Sequence, residues 1–285
     1  MADHIDTTSQ EHSLSRRTLL AAAALMPALA ATASGAAAQT TPPNGKVAIV
    51  TGSSRGIGAA TAKRLAQDGF RVTVNCVVNR DLAAGVVREI EAAGGEAIWE
   101  QADVSDPASV RRLFDVTERA FGGTDVVVAN AGIMRLAPFA DMTDEDFDRM
   151  VAVNLKGGFN TLREAARRVR EGGRIFTTSS SITTLRSPTY GPYAATKGSM
   201  ELFANILAKE LQGRKISVNA IAPGVVATSL FLDGKTDQQV AGFVQRTPHG
   251  RLGEPADIAA AISLLCSQDG WWVNGQTVFA NGGIV

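Results

Sequence analysis

Short apolar runs alternate with stretches of helical period along most of this chain. The apolar runs are residues 46–50, 71–78, 96–101 and 125–129. A helical pattern follows each of the first three, and Asp106 and Pro107 have the residue types that begin a helix. Strands and helices in this alternation are typical of parallel strands joined by helical crossovers. The pattern predicts an α/β fold with a doubly wound parallel sheet, in a single domain of residues 45–285.

One later helical pattern, residues 191–211, carries two chemically active side chains on one face. Tyr193 and Lys197 are four residues apart, which places them side by side on a helix. A neighbouring cation favours the phenolate and lowers the pKa of a tyrosine. We therefore expect the pair to face a cavity and Tyr193 to exchange a proton nearer neutral pH. The alternative is a core tyrosine beside a lysine whose charged end reaches solvent.

The first 44 residues have the pattern of an export signal. Arg16 and Arg17 precede an Ala/Leu-rich run that reaches about Ala33, and small residues follow before Gln39. This arrangement is typical of a secretory signal and resembles the twin-arginine signal of bacteria. It predicts a periplasmic location with no stable membrane span after signal removal. The alternatives are an Ala-rich extension and a cytoplasmic protein.

Composition narrows the possible partners. The chain has 28 basic and 28 acidic side chains, a formal net charge of zero. Because it has no basic run and no basic patch rich in aromatic residues, we expect no nucleic-acid partner. Cys76 and Cys266 have no His or Cys neighbours at metal-ligand spacing. We expect both to be small core residues, and we expect no metal site.

A glycine-rich turn follows the first apolar run, with the spacing Gly52-x-x-x-Gly56-x-Gly58 before a helical pattern. A strand, a glycine turn and a helix N-terminus together form an anion site, because free backbone N–H groups point at a phosphate. The alternative is an ordinary glycine turn without a ligand. Its position directly after the first strand favours the phosphate site.

The end of the second apolar run bears on the choice of cofactor. A carboxylate there usually binds the ribose 2′-hydroxyl of NAD(H), and an arginine accommodates the 2′-phosphate of NADP(H). The chain has no acid in this region before Asp81, whereas Arg80 and Arg55 are both available. We therefore predict NADP(H), with NAD(H) as the alternative if these arginines are only surface charges.

The motifs together resemble the short-chain dehydrogenase/reductase family, over nearly all of residues 45–285. They are Thr51-Gly52-x-x-x-Gly56-x-Gly58, Asn130-Ala131-Gly132, Asn154, Ser180, Tyr193-x-x-x-Lys197, Pro223-Gly224 with Thr228, Arg251-Leu252-Gly253-Glu254-Pro255 and Asn281-Gly282-Gly283. The last two are similar to the branch that includes 3-oxoacyl-carrier-protein reductases and sugar dehydrogenases. The resemblance implies a Rossmann-type fold and an oxidoreductase.

The resemblance also implies roles for particular residues. Tyr193 would exchange a proton with the substrate oxygen, and Lys197 would lower the pKa of Tyr193 and hold the nicotinamide ribose. Ser180, rather than its neighbours, would orient the substrate oxygen, and Asn154 would hold a water that relays protons. The residues implied to bind the cofactor are Gly52, Ser54, Arg55, Gly56, Ile57, Gly58, Arg80, Asp103, Val104, Asn130, Ala131, Gly132, Tyr193, Lys197, Pro223, Gly224, Val226 and Thr228.

The function expected from these features is hydride transfer between NADP(H) and a small carbonyl or secondary alcohol. Two alternatives are an NAD-dependent sugar or polyol dehydrogenase and a non-catalytic nucleotide-binding sensor. Residues 229–248 are expected to form a lid over the substrate. The resemblance further implies a homotetramer or homodimer.

Overall fold

The computed structural model describes residues 44–285. Their core is one sheet of seven parallel strands. The strands are β1 (Val47–Val50), β2 (Arg71–Cys76), β3 (Ala97–Gln101), β4 (Thr124–Ala129), β5 (Val169–Thr178), β6 (Ser217–Pro223) and β7 (Thr277–Ala280). Within these residues no helix has both the length and the hydropathy needed to cross a bilayer. The predicted export segment, up to residue 43, lies outside the described residues.

Helices connect the strands. They are α1 (Gly56–Gln67), α2 (Arg80–Ala92), α3 (Pro107–Phe121), α4 (Asp144–Met150), α5 (Gly157–Arg168), α6 (Ile182–Leu185), α7 (Gly191–Glu210), α8 (Ser229–Leu232), α9 (Asp237–Arg246) and α10 (Pro255–Cys266). A π-helical segment, Val151–Lys156, joins α4 to α5. The predicted start of α3 is confirmed, because the Asp106 carboxylate accepts hydrogen bonds from the backbone N–H groups of Ala108 and Ser109.

The sheet separates two hydrophobic cores because successive side chains of a strand point to opposite faces. Ala48 and Val50 of β1 pack in the core that contains α1, α2 and α10 residues. Ile49, between them, packs in the core built with α3, α5 and α7. Helices therefore cover both faces, and the predicted doubly wound α/β architecture is confirmed.

The strand order is β3-β2-β1-β4-β5-β6-β7. The chain builds outwards from β1 to β3 and then returns to place β4 on the other side of β1. Ligands of open parallel sheets bind at such a switch point, beyond the carboxyl ends of the strands. The fold therefore predicts a ligand site at the residues that follow β1 and β4.

The fold refines the predicted end of the second strand and confirms the expected burial of the two cysteines. The second strand ends at Cys76 rather than at residue 78, because Val77 and Val78 are exposed in the turn before α2. Cys76 and Cys266 are both free and buried, as expected of small core residues. Among the described residues, no three His, Cys, Asp or Glu side chains form a group that could hold a metal ion.

Candidate active site

The glycine turn lies at the switch point, between β1 and α1. Gly52 has a φ of +62°, and a Cβ there would stand 2.8 Å from the Ala131 Cα after β4. Glycine is required because the backbone is left-handed and because another chain segment approaches closely. The turns after β1 and β4 thus meet at one edge of the sheet.

The start of α1 has the properties of a phosphate site. The N-cap residue Arg55 makes no side-chain capping hydrogen bond, and the first turn has no acidic residue. A Cβ on Gly58 would come within 2.5 Å of the Gly52 carbonyl oxygen, so the turn can only close on itself with glycine here. The uncapped backbone N–H groups and the positive end of the helix dipole suit a pyrophosphate.

Two polar side chains fix the turn, and one of them, Asn75, was not singled out from the sequence. Asn75 on β2 accepts a hydrogen bond from the Gly52 N–H at 3.0 Å and donates to the Ala102 carbonyl at 3.0 Å. The Thr51 hydroxyl oxygen accepts from the N–H groups of Asn130 (3.0 Å) and Ala131 (3.1 Å). Such cross-strand contacts depend on the strand order, which sequence spacing alone does not give.

A cavity of about 430 Å³ opens beyond these turns. It contains every residue predicted to bind cofactor except Arg80, and it also contains Ser180. The predicted lid contributes Leu230 and Phe231 from its first helix, α8, and Phe243 from α9. The structure therefore brings the separate motifs of the sequence to one wall.

Arg80 is the exception, because it is not among the residues that line the cavity, and its role at the cofactor stays a prediction. It is the first residue of α2, and its guanidinium donates a hydrogen bond to the side chain of Gln101 at the end of β3. The cavity wall that precedes it in the chain is Cys76 to Asn79. Arg55, in contrast, is exposed at the cavity wall.

Asp103 and Arg149 form a charged pair at the same end of the cavity. The Asp103 carboxylate accepts hydrogen bonds from the backbone and the hydroxyl of Ser105, at 2.9 and 2.7 Å. The Arg149 guanidinium lies 3.7 Å from it. Sequence reasoning found Asp103 but not Arg149, whose approach from α4 has no local signal.

Tyr193 and Lys197 lie side by side in the cavity wall, as the helical spacing predicted. Both are buried, with 7% and 5% of their surface exposed. The Lys197 Nζ lies 5.8 Å from the Tyr193 ring centroid and donates a hydrogen bond to the Thr178 carbonyl at 2.8 Å. The backbone at the end of β5 therefore fixes the ammonium beside the phenol.

The expected lowering of the Tyr193 pKa is not found. Burial raises this pKa to about 12, and hydrogen bonding with Ser180 only partly opposes the shift. Burial also lowers the pKa of Lys197 to about 8. Desolvation disfavours the charged form of each group and is the largest cause of both shifts. Tyr193 is therefore held as a neutral phenol, which is the proton-donating form.

The three consecutive serines after β5 have separate partners. The Ser179 hydroxyl hydrogen-bonds to the Glu201 carboxylate at 2.5 Å. The Ser181 hydroxyl oxygen accepts from the Asn281 amide at 3.1 Å. Both serines are buried, and they hold the turn from two sides. Of the three serines, only Ser180 hydrogen-bonds with Tyr193, and its role toward the substrate oxygen stays a prediction.

Asn154 lies behind the main cavity, in the π-helical segment. Its side-chain oxygen accepts from the Ile133 N–H at 2.8 Å, and its amide donates to the Ile133 carbonyl and to the Thr196 hydroxyl. These bonds brace the segment after β4 against α7. The proton-relay role of Asn154 stays a prediction.

Replacing Lys197 with methionine is expected to change how stability depends on pH. The unfolded chain, with a lysine pKa of about 10.4, binds more protons than the folded chain between about pH 8 and pH 10, because the folded pKa is about 8. The free energy of unfolding of the native sequence should therefore rise across this window by about 2–3 kcal/mol relative to Lys197→Met. Urea unfolding at both pH values measures this, and a constant difference between the proteins would contradict it.

Comparisons with known proteins agree with this geometry. A sequence model of the family described as enoyl-(acyl carrier protein) reductase matches residues 52–285. The chain is 42% identical over 251 residues to a short-chain type dehydrogenase/reductase of Picea abies, covering 85% of this chain and 93% of that protein. It is also 42% identical over 255 residues to an NADPH-dependent aldehyde reductase-like chloroplastic protein of Arabidopsis thaliana, covering 85% of this chain and 94% of that one.

The fold is similar to solved structures as well. One is a short chain dehydrogenase from Burkholderia cenocepacia in complex with NADP, with a TM-score of 0.80 and 37% sequence identity. The match covers 86% of this chain and 99% of that one. Sequence and structure thus point to the same group of proteins over almost the whole described region.

Proposed function

Because the chain belongs to the short-chain dehydrogenase/reductase family, we propose that it reduces a carbonyl group to a secondary or primary alcohol with NADPH, or runs the reverse reaction with NADP⁺. The observation that carries this proposal is the convergence of Ser180, Tyr193 and Lys197 in the cavity that also holds the glycine turn. The similarity, at 42% identity, to a protein named as NADPH-dependent aldehyde reductase-like supports it.

The residues present fit a dinucleotide. The uncapped start of α1 and the glycine turn would hold the pyrophosphate, and Asp103 with Val104 would flank the adenine. Pro223 to Thr228 would cover the nicotinamide end. When bound, NADPH supplies a hydride to the carbonyl carbon.

The chain's own residues supply the proton and the orientation. The Ser180 hydroxyl orients the substrate oxygen, and Tyr193, kept neutral by burial, donates its proton to that oxygen. The Lys197 ammonium, fixed by the Thr178 carbonyl, stabilises the phenolate that Tyr193 becomes. A proton relay through Asn154 would then restore the phenol.

Preference for NADP(H) over NAD(H) is the finer part of the proposal. The cavity wall at the end of β2 is Cys76-Val77-Val78-Asn79, and it has no carboxylate to bind a ribose 2′-hydroxyl. Arg55 is the cation available to a 2′-phosphate there, since Arg80 is turned toward Gln101. The known structure with NADP, at 37% identity, supports this choice.

The test is a fluorescence titration with NADPH and NADH of the native protein and of Arg55→Ala, with Arg80→Ala as the matched control. A charge-assisted contact is worth about 1.5–3 kcal/mol, so Arg55→Ala should weaken NADPH binding by about 10- to 100-fold. NADH binding should be unchanged, and Arg80→Ala should bind NADPH almost as the native protein does.

The alternatives predict different results in the same assay. Tighter binding of NADH, with oxidation of sugars or polyols, would favour an NAD-dependent dehydrogenase. Tight NADPH binding with no turnover of any carbonyl or alcohol would favour a nucleotide-binding sensor.

Location and assembly complete the proposal. We expect export by the twin-arginine route, which carries folded proteins, so that the cofactor can travel bound. Comparing periplasmic and cytoplasmic fractions for a chain that starts near Gln39 tests this location against a cytoplasmic one.

We also expect a homotetramer or homodimer. The exposed Leu202 and Ile206 on α7 and the exposed Trp272 support assembly. Light scattering that finds only monomers would contradict it.

A further inference from the structure

The cavity wall includes large uncharged side chains from the segments packed around Tyr193 and from the lid. They are Met134, Leu185, Tyr190, Leu230, Phe231 and Phe243. The charged residues of the whole cavity wall are Arg55, Asp103, Arg149 and Lys197. Arg55 lies on the glycine turn, Asp103 follows β3 and pairs with Arg149, and Lys197 is bound to the Thr178 carbonyl. None of these four charged residues belongs to the predicted lid.

The two lid phenylalanines form an aromatic pair. The Phe231 and Phe243 ring centroids lie 5.2 Å apart, with the rings at 76°, an edge-to-face arrangement. This contact joins α8 to α9. Both rings belong to the cavity wall, so the lid presents aromatic surface to a substrate.

A cation lies over each of the two lid rings, and neither cation belongs to the cavity wall. The Lys235 Nζ lies 4.5 Å from the Phe231 centroid and donates a hydrogen bond to the Phe231 carbonyl. The Arg246 guanidinium lies 4.6 Å from the Phe243 centroid. Neither cation is among the wall residues. A substrate at the lid therefore meets the two rings rather than these two cations.

Tyr190 faces this lid from the body of the domain. It directly precedes α7, and its ring lies 6.4 Å from the Tyr193 ring at 65°. Arg246 is close enough to act on the Tyr190 hydroxyl, which places this tyrosine near the end of α9. Tyr190, Phe231 and Phe243 all belong to the cavity wall and are here called the ring pocket, and Tyr190 is the member that lies beside Tyr193.

We propose that the ring pocket binds the aryl group of an uncharged aromatic ketone or aldehyde, whose carbonyl lies at Ser180 and Tyr193. This inference rests on the proposed reductase function. Aromatic walls favour an aryl group through edge-to-face contacts. They disfavour a carboxylate or a polyol, because either would leave buried polar groups without partners.

Reduction of the aryl carbonyl needs a hydride from NADPH and a proton from Tyr193. The carbonyl carbon accepts a hydride, with its two electrons, from NADPH, and the carbonyl oxygen accepts a proton from Tyr193. An aryl carbinol and NADP⁺ result, and solvent returns one proton to Tyr193. Aryl ketone, NADPH and H⁺ are thus converted to alcohol and NADP⁺.

The experiment measures kcat/KM for NADPH oxidation by the full chain with acetophenone, cyclohexyl methyl ketone and 4-acetylbenzoate. The ratio of acetophenone to cyclohexyl methyl ketone is compared in the native protein, Tyr190→Leu, Phe243→Leu and Tyr190→Phe. Ratios within each variant cancel general losses of folding or cofactor binding. We expect the ratio to fall about tenfold in the two leucine variants, the loss of one ring contact. Tyr190→Phe, which keeps the ring, should retain it. The carboxylate should be at least about 100-fold poorer than acetophenone.

Other results would overturn the inference. If the ketones are reduced but the ratio is the same in all four proteins, or 4-acetylbenzoate matches acetophenone, the ring pocket does not select aryl groups while the reductase function stands. Preferred oxidation of a polyol with NADP⁺ would also overturn it. If no ketone oxidises NADPH, and Tyr193→Phe behaves as the native protein does, the proposed function fails and this inference with it.

Discussion

Tyr193→Phe is expected to lower kcat by about 10²–10⁴-fold, the usual contribution of a general acid or base. The variant keeps the ring that packs in the wall and loses only the hydroxyl that gives the proton. The phenol is held neutral by burial and hydrogen-bonds with Ser180, so it is the group positioned to give this proton. Binding of NADPH, measured by fluorescence titration, should stay within about threefold of the native value.

Ser199→Ala is the matched control for this variant. Ser199 is on the same helix, and its hydroxyl only donates a hydrogen bond to the Thr196 carbonyl at 2.6 Å. It lies outside the cavity wall, so the control should keep native turnover. Comparable kcat values for Tyr193→Phe and Ser199→Ala would show that Tyr193 is not the proton donor.

Gly58→Ala is expected to damage both stability and cofactor binding. The added Cβ would stand 2.5 Å from the Gly52 carbonyl oxygen and 2.6 Å from the Asn130 Nδ2, closer than real contacts allow. Relief requires the turn to open, which also breaks the hydrogen bonds from Asn130 Nδ2 to the Thr51 and Gly52 carbonyls. The loss should be about 1–3 kcal/mol in the free energy of unfolding, with NADPH binding weakened about tenfold or more.

Gly85→Ala separates this effect from the general cost of changing a glycine. Gly85 is inside α2, where the nearest atom to an added Cβ is the end of the Arg88 side chain at 3.8 Å. This control should gain about 0.5–1 kcal/mol, since alanine favours a helix over glycine. Urea unfolding and NADPH titration of both variants test the pair. Native NADPH affinity in Gly58→Ala would show that the turn does not have to fit this closely.

The parts of the site that follow from local spacing could be predicted from sequence. Tyr193 and Lys197 share a face because a helix has a fixed period, and Gly52 to Gly58 follow a strand because the apolar run ends there. The contact of Arg80 could not be predicted, because the direction of a long side chain at a helix start depends on the neighbouring strand, and its role at the cofactor stays a prediction. The Arg80 guanidinium donates a hydrogen bond to the side chain of Gln101 at the end of β3.

Other properties depend on burial and on contacts distant in sequence. The sign of the Tyr193 pKa shift is set by desolvation, and desolvation is known only once the helix has packed. Asn75 and Arg149 have no motif, and their importance follows from the strands and helices they reach. The residues of the ring pocket come from three separate segments of the chain. The predicted lid pointed to two of them, but Tyr190 could not be assigned to it.

The order of the strands also determines when the nucleotide site can exist. The Asn130 amide donates a hydrogen bond to the Thr51 carbonyl, although the two residues are 79 positions apart and β2 and β3 lie between them in the sequence. No early folding intermediate that lacks the β1–β4 pair has a complete site, so NADPH recognises the assembled sheet. At 100 times its dissociation constant, a ligand of this kind adds about 2.7 kcal/mol to the free energy of unfolding. The supply of cofactor around the protein should therefore govern how long each molecule resists proteolysis, as well as how fast it turns over substrate.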